Sequence, residues 1–508
     1  MTPRAFPFYS EIAGAADRFR RLLPRARAVQ QALLRDILRH NAATEVGRLQ
    51  GFAHIDGHAA FCERVPVTDY EALLPCIERM AAGVPDVLVP GIPIAFEETG
   101  GSSAGPKLVP HTPRALDAFR YALLPWLDDL ARAYPVLAAG YAYWAISPAA
   151  RAARTTGGGI AVGLGGDAAY FGEALAPLVI DTLAVPPSVG ALTGIEAWRD
   201  ATCAHLLQCE HLALISVWSP TFLDDLLAHM RAHARRLTRG MAPARARVVC
   251  AELGADNPDY RRVWPQFQVV SCWDQAASRA HAAALRAQLG AIPVQGKGLL
   301  ATEGVTSIPL HELPAPVLAV ESAYFEFRDG TGTCHDIGGV VPGGEYELLL
   351  TTWGGLYRYA IGDRVRVTGF SGEAPMIEFL GRAGVASDLC GEKLTEDFVL
   401  RALQPLGLRF ALLAPAVRRG YVLFVDAAEV TAQSDVIASA ETALCANPQY
   451  AYARRLGQLA PLELRRCVAP LRTWLAEGRA RGMRLGDIKP PALSPRGGWE
   501  ARFQVVVS

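Results

Sequence analysis

The run Thr99-Gly100-Gly101-Ser102-Ser103-Ala104-Gly105-Pro106-Lys107 has the composition of an anion cradle. Its glycines permit backbone turns that other residues resist. Amides and hydroxyls between them can surround an anion, and Lys107 adds a positive charge. Alone, the run reads equally well as a Gly/Ser turn. It is not a Walker A loop, because Gly105-Pro106-Lys107-Leu108 stands where that motif requires Gly-Lys-Ser/Thr.

Four polar signals follow it, at the ends of apolar runs where layered α/β folds place ligand groups. In Gly298-Leu-Leu-Ala-Thr302-Glu303-Gly304 a carboxylate at a strand end can hold a Mg2+ ion against phosphates. In Tyr357-Arg-Tyr-Ala-Ile-Gly362-Asp363-Arg364 the glycine makes a turn and the aspartate can accept hydrogen bonds from two ribose hydroxyls. The alternative for Gly362-Asp363 is a plain hairpin turn. Gly381-Arg382 precedes Gly391-Glu392-Lys393, and Leu485-Gly486-Asp487-Ile488-Lys489-Pro490 sets a lysine between a turn glycine and a proline. Each signal is weak by itself; their order is not.

The elements that must position these residues are legible in outline. Residues 11–40 read as helices, with Leu22, Leu23, Leu33, Leu34, Ile37 and Leu38 at helical spacing. An apolar strand is expected from Val87 to Phe96, before the Gly/Ser run, and a helix from Pro113 to about Tyr134. Tyr141 to Ile146 reads as a buried strand, and the glycine-rich Thr155 to Gly166 as a structural corner rather than a second phosphate loop. Between Ala197 and Leu289 helical patterns alternate with short strands such as Leu212–Trp218 and Gln268–Trp273, the signature of α/β layers. His229 and His233 lie one helical turn apart with no third ligand nearby, which favours a solvated helix face over a metal site.

From Tyr324 to Phe379 the pattern is dense β, with strands expected at Tyr324–Phe327, Glu345–Thr352, Gly355–Tyr359 and Arg364–Thr368. After Gly381-Arg382, strands Phe410–Leu413 and Tyr421–Val425 are separated by helices near Glu396–Leu403 and Ser434–Cys445. The expected fold is therefore α/β. A large multi-layer domain with mixed sheets and a β-rich part spans 1–382, and a small mobile α+β domain of about 125 residues spans 383–508.

A chain of 508 residues exceeds one ordinary core, and its composition of 51% hydrophobic and 20% charged residues is that of a globular protein. Fifty basic residues balance fifty acidic ones, so no whole-chain field draws it to nucleic acid or to anionic lipid. Ten cysteines without a C-x-x-C pair read as buried thiols of a reducing compartment. Arg4, Glu11, Asp17 and Arg18 leave no room for a secretory apolar segment. The uncharged Ala133–Ala150 is broken by Pro135, Gly140 and Pro148, against a membrane helix. The protein is expected in the cytoplasm, as a monomer.

In order and spacing the signals together resemble the adenylate-forming superfamily of acyl-CoA synthetases, peptide-synthetase adenylation domains and luciferases. TGGSSAGPK resembles its phosphate loop TSGTTGxPK, and LLATEG its strand ending in Thr/Ser-Glu. YRYAIGDRVRVTGF is similar to the YRYRVGDVLRVTGF pattern of the auxin-responsive acyl-acid amido synthetases, the Gretchen Hagen family, in the form found in bacteria. AYFEF (323–327), EYELLLTTWGGLYRY (345–359) and Tyr450–Leu459 also look like that family. The chain departs from the pattern at Gly100, where a serine is usual, at Ala104-Gly105, and at Gly384, where the superfamily has an aspartate or lysine hinge.

The resemblance implies a two-step ligase. A carboxylic acid is activated with ATP as an acyl-adenylate, releasing pyrophosphate; an amine, most often of an amino acid, then displaces AMP. It implies ATP contacts from Thr99, Gly101, Ser102, Ser103, Lys107, Thr302, Tyr357, Asp363 and Arg382, Mg2+ on Glu303, and catalytic roles for Glu303 and the mobile Lys489. Acid selection would fall to the helix Arg114–Asp129, where Tyr121 and Trp126 suggest a partly aromatic wall. An acyl-CoA ligase would share every nucleotide residue and differ in the acceptor. A degenerate binding protein is the other alternative, and a P-loop phosphotransferase is opposed by the missing Gly-Lys-Ser/Thr.

Overall fold

The densest strand sequence builds the largest sheet. In the computed structural model, which describes residues 5–98, 107–144, 154–164, 166–192, 194–382, 385–430, 432–481, 483, 486 and 488–506, Tyr324–Arg328, Glu345–Thr351, Tyr359–Ser371 and Ala374–Arg382 pair antiparallel. Ser307–Ile308 and Val317–Leu318 extend this sheet on one side and Cys334–His335 on the other. Along Tyr359–Ser371, Tyr359, Ile361, Asp363, Val365 and Val367 are buried and the residues between them are not, the period of two that a half-buried strand imposes. An aspartate thus occupies a core-facing position.

A second sheet is wholly parallel, in the order Tyr141–Trp144, Leu212–Ser216, Val269–Cys272, Val294–Gly296. Helices Ile195–Gln208, Pro220–Leu237, Pro243–Gly254 and Arg279–Leu289 fall in its connections, as parallel pairing requires. Leu212–Ser216 is buried at every position, the mark of a strand covered on both faces. A third, small sheet pairs Ala95–Glu98 antiparallel with Leu108–His111, Glu98 opposite Leu108, so the Gly/Ser run joins two strands of a hairpin. The C-terminal part pairs Ala411–Pro415, Tyr421–Asp426 and Glu463–Cys467 against helices Glu396–Leu403, Gln433–Leu444, Pro448–Arg455 and Pro470–Ala480.

Apolar packing follows this division. One core runs from Phe8 to Ile377 through the N-terminal helices and the large sheet. A second surrounds the parallel sheet and takes in Ile488 from the C-terminal part. The other two use only residues from Leu389 onward.

Several expected elements differ. The strand over Val87–Phe96 is shorter and later, Ala95–Glu98, because Pro90, Gly91 at φ 68° and Pro93 force a loop, although Val87, Leu88 and Val89 are buried. Gly355–Tyr359 is not a strand: Gly355 at φ 89° and Arg358 at φ 46° turn the chain, and pairing begins at Tyr359. Residues 155–164 do form a corner. A Cβ on Gly158 would lie 2.4 Å from the Gly83 nitrogen, so this glycine is there for close packing. His229 is no solvated residue: it is buried, bonded to Asp200 at 2.7 Å, with the His233 ring 4.5 Å away. All ten thiols are free, but only Cys203, Cys272 and Cys467 are fully buried. Tyr141–Trp144 is a strand, and among the described residues no helix is long and apolar enough to cross a membrane.

Candidate active site

Two backbone irregularities bring the charged residues together. Thr302 and Glu303 form the turn between Leu300–Ala301 and Gly304–Val305, rather than the free end of a longer strand. Gly298 at φ 72° lets that segment press against Ser307, whose carbonyl oxygen would be 2.4 Å from any Cβ added there. On the large sheet, Gly362 at φ 82° lies inside Tyr359–Ser371 rather than in a hairpin turn, and the register shifts between Arg364 and Val365. Asp363 is thereby set opposite Arg382, whose Nε donates to its Oδ1 at 3.2 Å.

The electrostatics join these pieces. Burial raises the Glu303 carboxyl above its ordinary range; Arg382 and Lys107 draw it back and Asp363 pushes it up. Arg382 is held cationic above all by Asp363, and further by Glu303 and Glu396. Burial pushes the Glu396 carboxyl up to about 7, against the pull of Arg382 and Lys489. Lys107 has its Nζ 5.1 Å from the Tyr70 ring centre, and the Tyr70 hydroxyl accepts from the Leu108 N–H at 2.8 Å.

A cleft opens beside Glu303, with Thr302, Pro110, His111, Phe119 and Trp353 among its lining. His111 is 4% exposed, neither ring nitrogen has a hydrogen-bond partner among the described residues, and burial pushes its imidazole down to about 4. It is therefore a neutral ring presenting one donor and one acceptor. One wall is the helix Pro113–Ala133, capped by Thr112. The Thr112 hydroxyl accepts from the Ala115 N–H at 3.1 Å and donates to the Trp353 carbonyl at 3.0 Å.

Of the residues singled out from sequence, Lys107, Thr302, Glu303, Asp363 and Arg382 come together here. Thr99, Gly100, Gly101, Ser102 and Ser103 lie outside the described residues, as does Gly384. Tyr357 stands apart: it is 2% exposed, packed on Phe52, and its hydroxyl donates to the Leu88 carbonyl at 2.6 Å, which makes it a packing residue. Lys489 sits at the edge, its Nζ 3.7 Å from the Trp273 ring centre, and reaches the cluster through Glu396. Tyr121 is exposed and carries Arg18, so the aromatic residue facing the cleft is Phe119, while Trp126 is buried against Lys297 and Gln295. Sequence reasoning missed Tyr359, whose phenol is raised first by burial and then by Glu303. The doubled tyrosine of Tyr357-Arg358-Tyr359 was its only signal. Glu396 and His111 gave none.

The Glu303 carboxylate, with Asp363 behind it, fits the oxygen donors a Mg2+ ion uses when phosphates supply its other ligands. The cations Lys107 and Arg382 flank the same point. This arrangement suits a polyphosphate brought against a second anion.

Residues 15–245 match the GH3 family N-terminal domain and residues 316–382 the GH3 family central domain, together more than half of the chain. The chain belongs to the GH3 family. Among GH3 relatives, "Indole-3-acetic acid-amido synthetase GH3.2" of Arabidopsis thaliana is 25% identical over 436 residues, covering 76% of this chain and 79% of that protein. "Probable indole-3-acetic acid-amido synthetase GH3.6" of Oryza sativa subsp. japonica is 35% identical over 164 residues, 29% of this chain and 33% of its own length. The GH3 fold is shared along nearly the whole chain with the solved "GH3.15 acyl acid amido synthetase", at TM-score 0.81 and 19% identity, covering 96% and 97% of the two chains. A 2-hydroxyisobutyryl-CoA ligase in its postadenylation state shares the fold more loosely, at TM-score 0.54 and 13% identity, over 87% of this chain and 86% of its own.

Proposed function

We propose that this GH3 protein is an ATP-dependent amido synthetase. It forms an acyl-adenylate from a carboxylic acid with release of pyrophosphate, then passes the acyl group to the amine of an amino acid with release of AMP. The observation that carries this reading is the convergence of Glu303, Asp363, Arg382 and Lys107 in a chain of this family.

Bringing a carboxylate to a polyphosphate sets two anions face to face, so positive charge must be in place beforehand. Lys107 and Arg382 supply it, and Mg2+ held by Glu303 adds charge neutralisation when bound. Asp363 would accept from the ribose hydroxyls, fixing the nucleotide so that the α-phosphate stays in line with the acid. Thr99, Gly101, Ser102 and Ser103 would cradle the phosphates. His111 offers a neutral donor and acceptor at the cleft wall, and Phe119 an apolar face, for the acid. Part 383–508 would turn about 382–384 between half-reactions, bringing Lys489 to the phosphates in the first.

ATP–pyrophosphate exchange screened over a panel of carboxylic acids tests the first step. Mass spectrometry of complete reactions tests the second, with an amino-acid amide expected and no dependence on coenzyme A. A CoA thioester as main product overturns the amide reading and leaves the adenylating core standing. Lys489→Ala should impair exchange while sparing amide formation from supplied acyl-adenylate; equal loss of both would make Lys489 a strut between the two parts.

A further inference from the structure

At the far edge of the large sheet a second polar cluster has no part in the reaction above. His58 and Cys62 lie one turn apart on the helix His58–Arg64, and both face Glu326 of the strand Tyr324–Arg328. Cys62 Sγ is 3.7 Å from His58 Nδ1 and 3.3 Å from Glu326 Oε1, and His58 Nδ1 is 3.8 Å from that oxygen. Zinc bonds of about 2.0–2.3 Å at tetrahedral angles place neighbouring ligand atoms about 3.3–3.6 Å apart. The three atoms already stand close to the edges of one face of such a tetrahedron.

The surroundings orient them. His58 Nε2 lies 3.2 Å from the Cys334 carbonyl, which can only accept, so the proton of the neutral ring is on Nε2 and Nδ1 keeps its lone pair. That lone pair accepts from the Tyr324 hydroxyl at 3.0 Å, and Cys62 Sγ lies 3.6 Å from Nε2 and 3.7 Å from Nδ1, so a cation would displace the Tyr324 bond and turn the ring edge toward Cys62 and Glu326. Backbone carbonyls fix the tautomer of metal-binding histidines in the same way. Glu326 is 1% exposed; Arg358 Nε holds Oε2 at 3.0 Å and Oε1 at 3.1 Å, and Arg358 Nη2 lies 3.0 Å from Oε1, so a cation would share Oε1 with the arginine through the second lone pair of that oxygen.

We propose that His58 Nδ1, Cys62 Sγ and Glu326 Oε1 form a binding site for one zinc-class divalent cation, with water as fourth ligand. The Cys62 thiol gives up its proton to solvent as the metal–sulfur bond forms. Charge on the three ligands and metal then sums to zero beside the Arg358 cation. Such an ion would pin the helix His58–Arg64 to the large sheet just under the turn that leads into Tyr359 and Asp363.

Cobalt(II) added to metal-stripped, full-length protein is the probe. One equivalent should give tetrahedral visible bands with an intense thiolate-to-cobalt band, which zinc abolishes. Zinc entry should release one proton per chain in weak buffer, and Tm should rise with zinc concentration. Cys62→Ser keeps a donor for Glu326 and should fold, yet lose the thiolate band and bind zinc at least about tenfold more weakly. His58→Ala is the second variant, expected to lose the zinc-dependent rise in Tm. Absence of the thiolate band in wild type, or zinc uptake unchanged in both variants, would overturn the site; uptake through His229 and His233 would look like the latter.

Discussion

Two carboxylate–arginine pairs sit on the same sheet and differ in how completely they are used. Arg358 and Glu326 are 5% and 1% exposed, and Arg358 meets Glu326 through Nε and a terminal nitrogen at 3.0–3.1 Å. Its other terminal nitrogen donates to the carbonyls of Cys62 and Val65. All three nitrogens of that guanidinium face an acceptor. Asp363 is equally buried, but Arg382 is 48% exposed and reaches it by a single contact. Most of the Arg382 fork, and one Asp363 oxygen, remain for something else. An arginine whose three nitrogens are all engaged holds structure in place; one with nitrogens left over beside a cleft suits ligand binding.

The largest effect should come from breaking the saturated pair. Glu326→Ala leaves a guanidinium buried without its anion, at a cost of about 3–5 kcal/mol. Denaturant titration should show it, and a loss near that of a surface ion pair would erase the distinction between the two pairs. Asp363→Ala should act in the other currency, raising the ATP KM by about 1.5–3 kcal/mol equivalent with little loss of stability, because Arg382 can turn to water. If instead stability falls as far as in Glu326→Ala, the two pairs are one kind. Glu303→Gln removes a charge whose burial is unfavourable, so the fold should hold or gain stability while turnover drops at least about tenfold, about 1.4 kcal/mol. Full exchange activity at low Mg2+ in this variant would make Glu303 structural.

The smallest effect concerns Glu396. Its folded value of about 7 lies above the ordinary carboxyl range, so the folded chain binds more protons than the unfolded one between about 4.3 and 7. Its contribution to stability therefore falls as pH rises through that window. Glu396→Gln should be more stable than wild type at pH 8 and indistinguishable at pH 4; thermal melts across that range decide it. A constant offset would mean that Glu396 acts by shape rather than by charge.

The sequence made the fold readable where burial is periodic. Tyr324–Arg328 and Glu345–Thr351 announce themselves by aromatic and leucine residues interleaved with glutamates, and Leu212–Ser216 by nearly continuous apolarity. Asp363 could be placed beside Arg382 only through the pattern around them, because their meeting depends on a bulge and on a register across two strands. Residue type misled where a side chain has two competing uses. Tyr357 and Tyr359 are indistinguishable by type, yet a turn at Arg358 sends one hydroxyl to Leu88 and the other ring toward Glu303. His111 carries no signal in the sequence. Its meaning comes from its two nitrogens having no partner among the described residues, which no spacing rule reports.

The Thr112 hydroxyl serves two masters, the first turn of the helix Pro113–Ala133 and the Trp353 carbonyl. A single oxygen thus rivets the wall of the cleft to its floor, and neither can slide without unfastening the other. Tilting that helix would break both bonds at once. If the acid binds in this cleft, as proposed, the side chains at 115 and 119 would gauge its bore, and a change of acid would come more readily from swapping them than from loosening the frame.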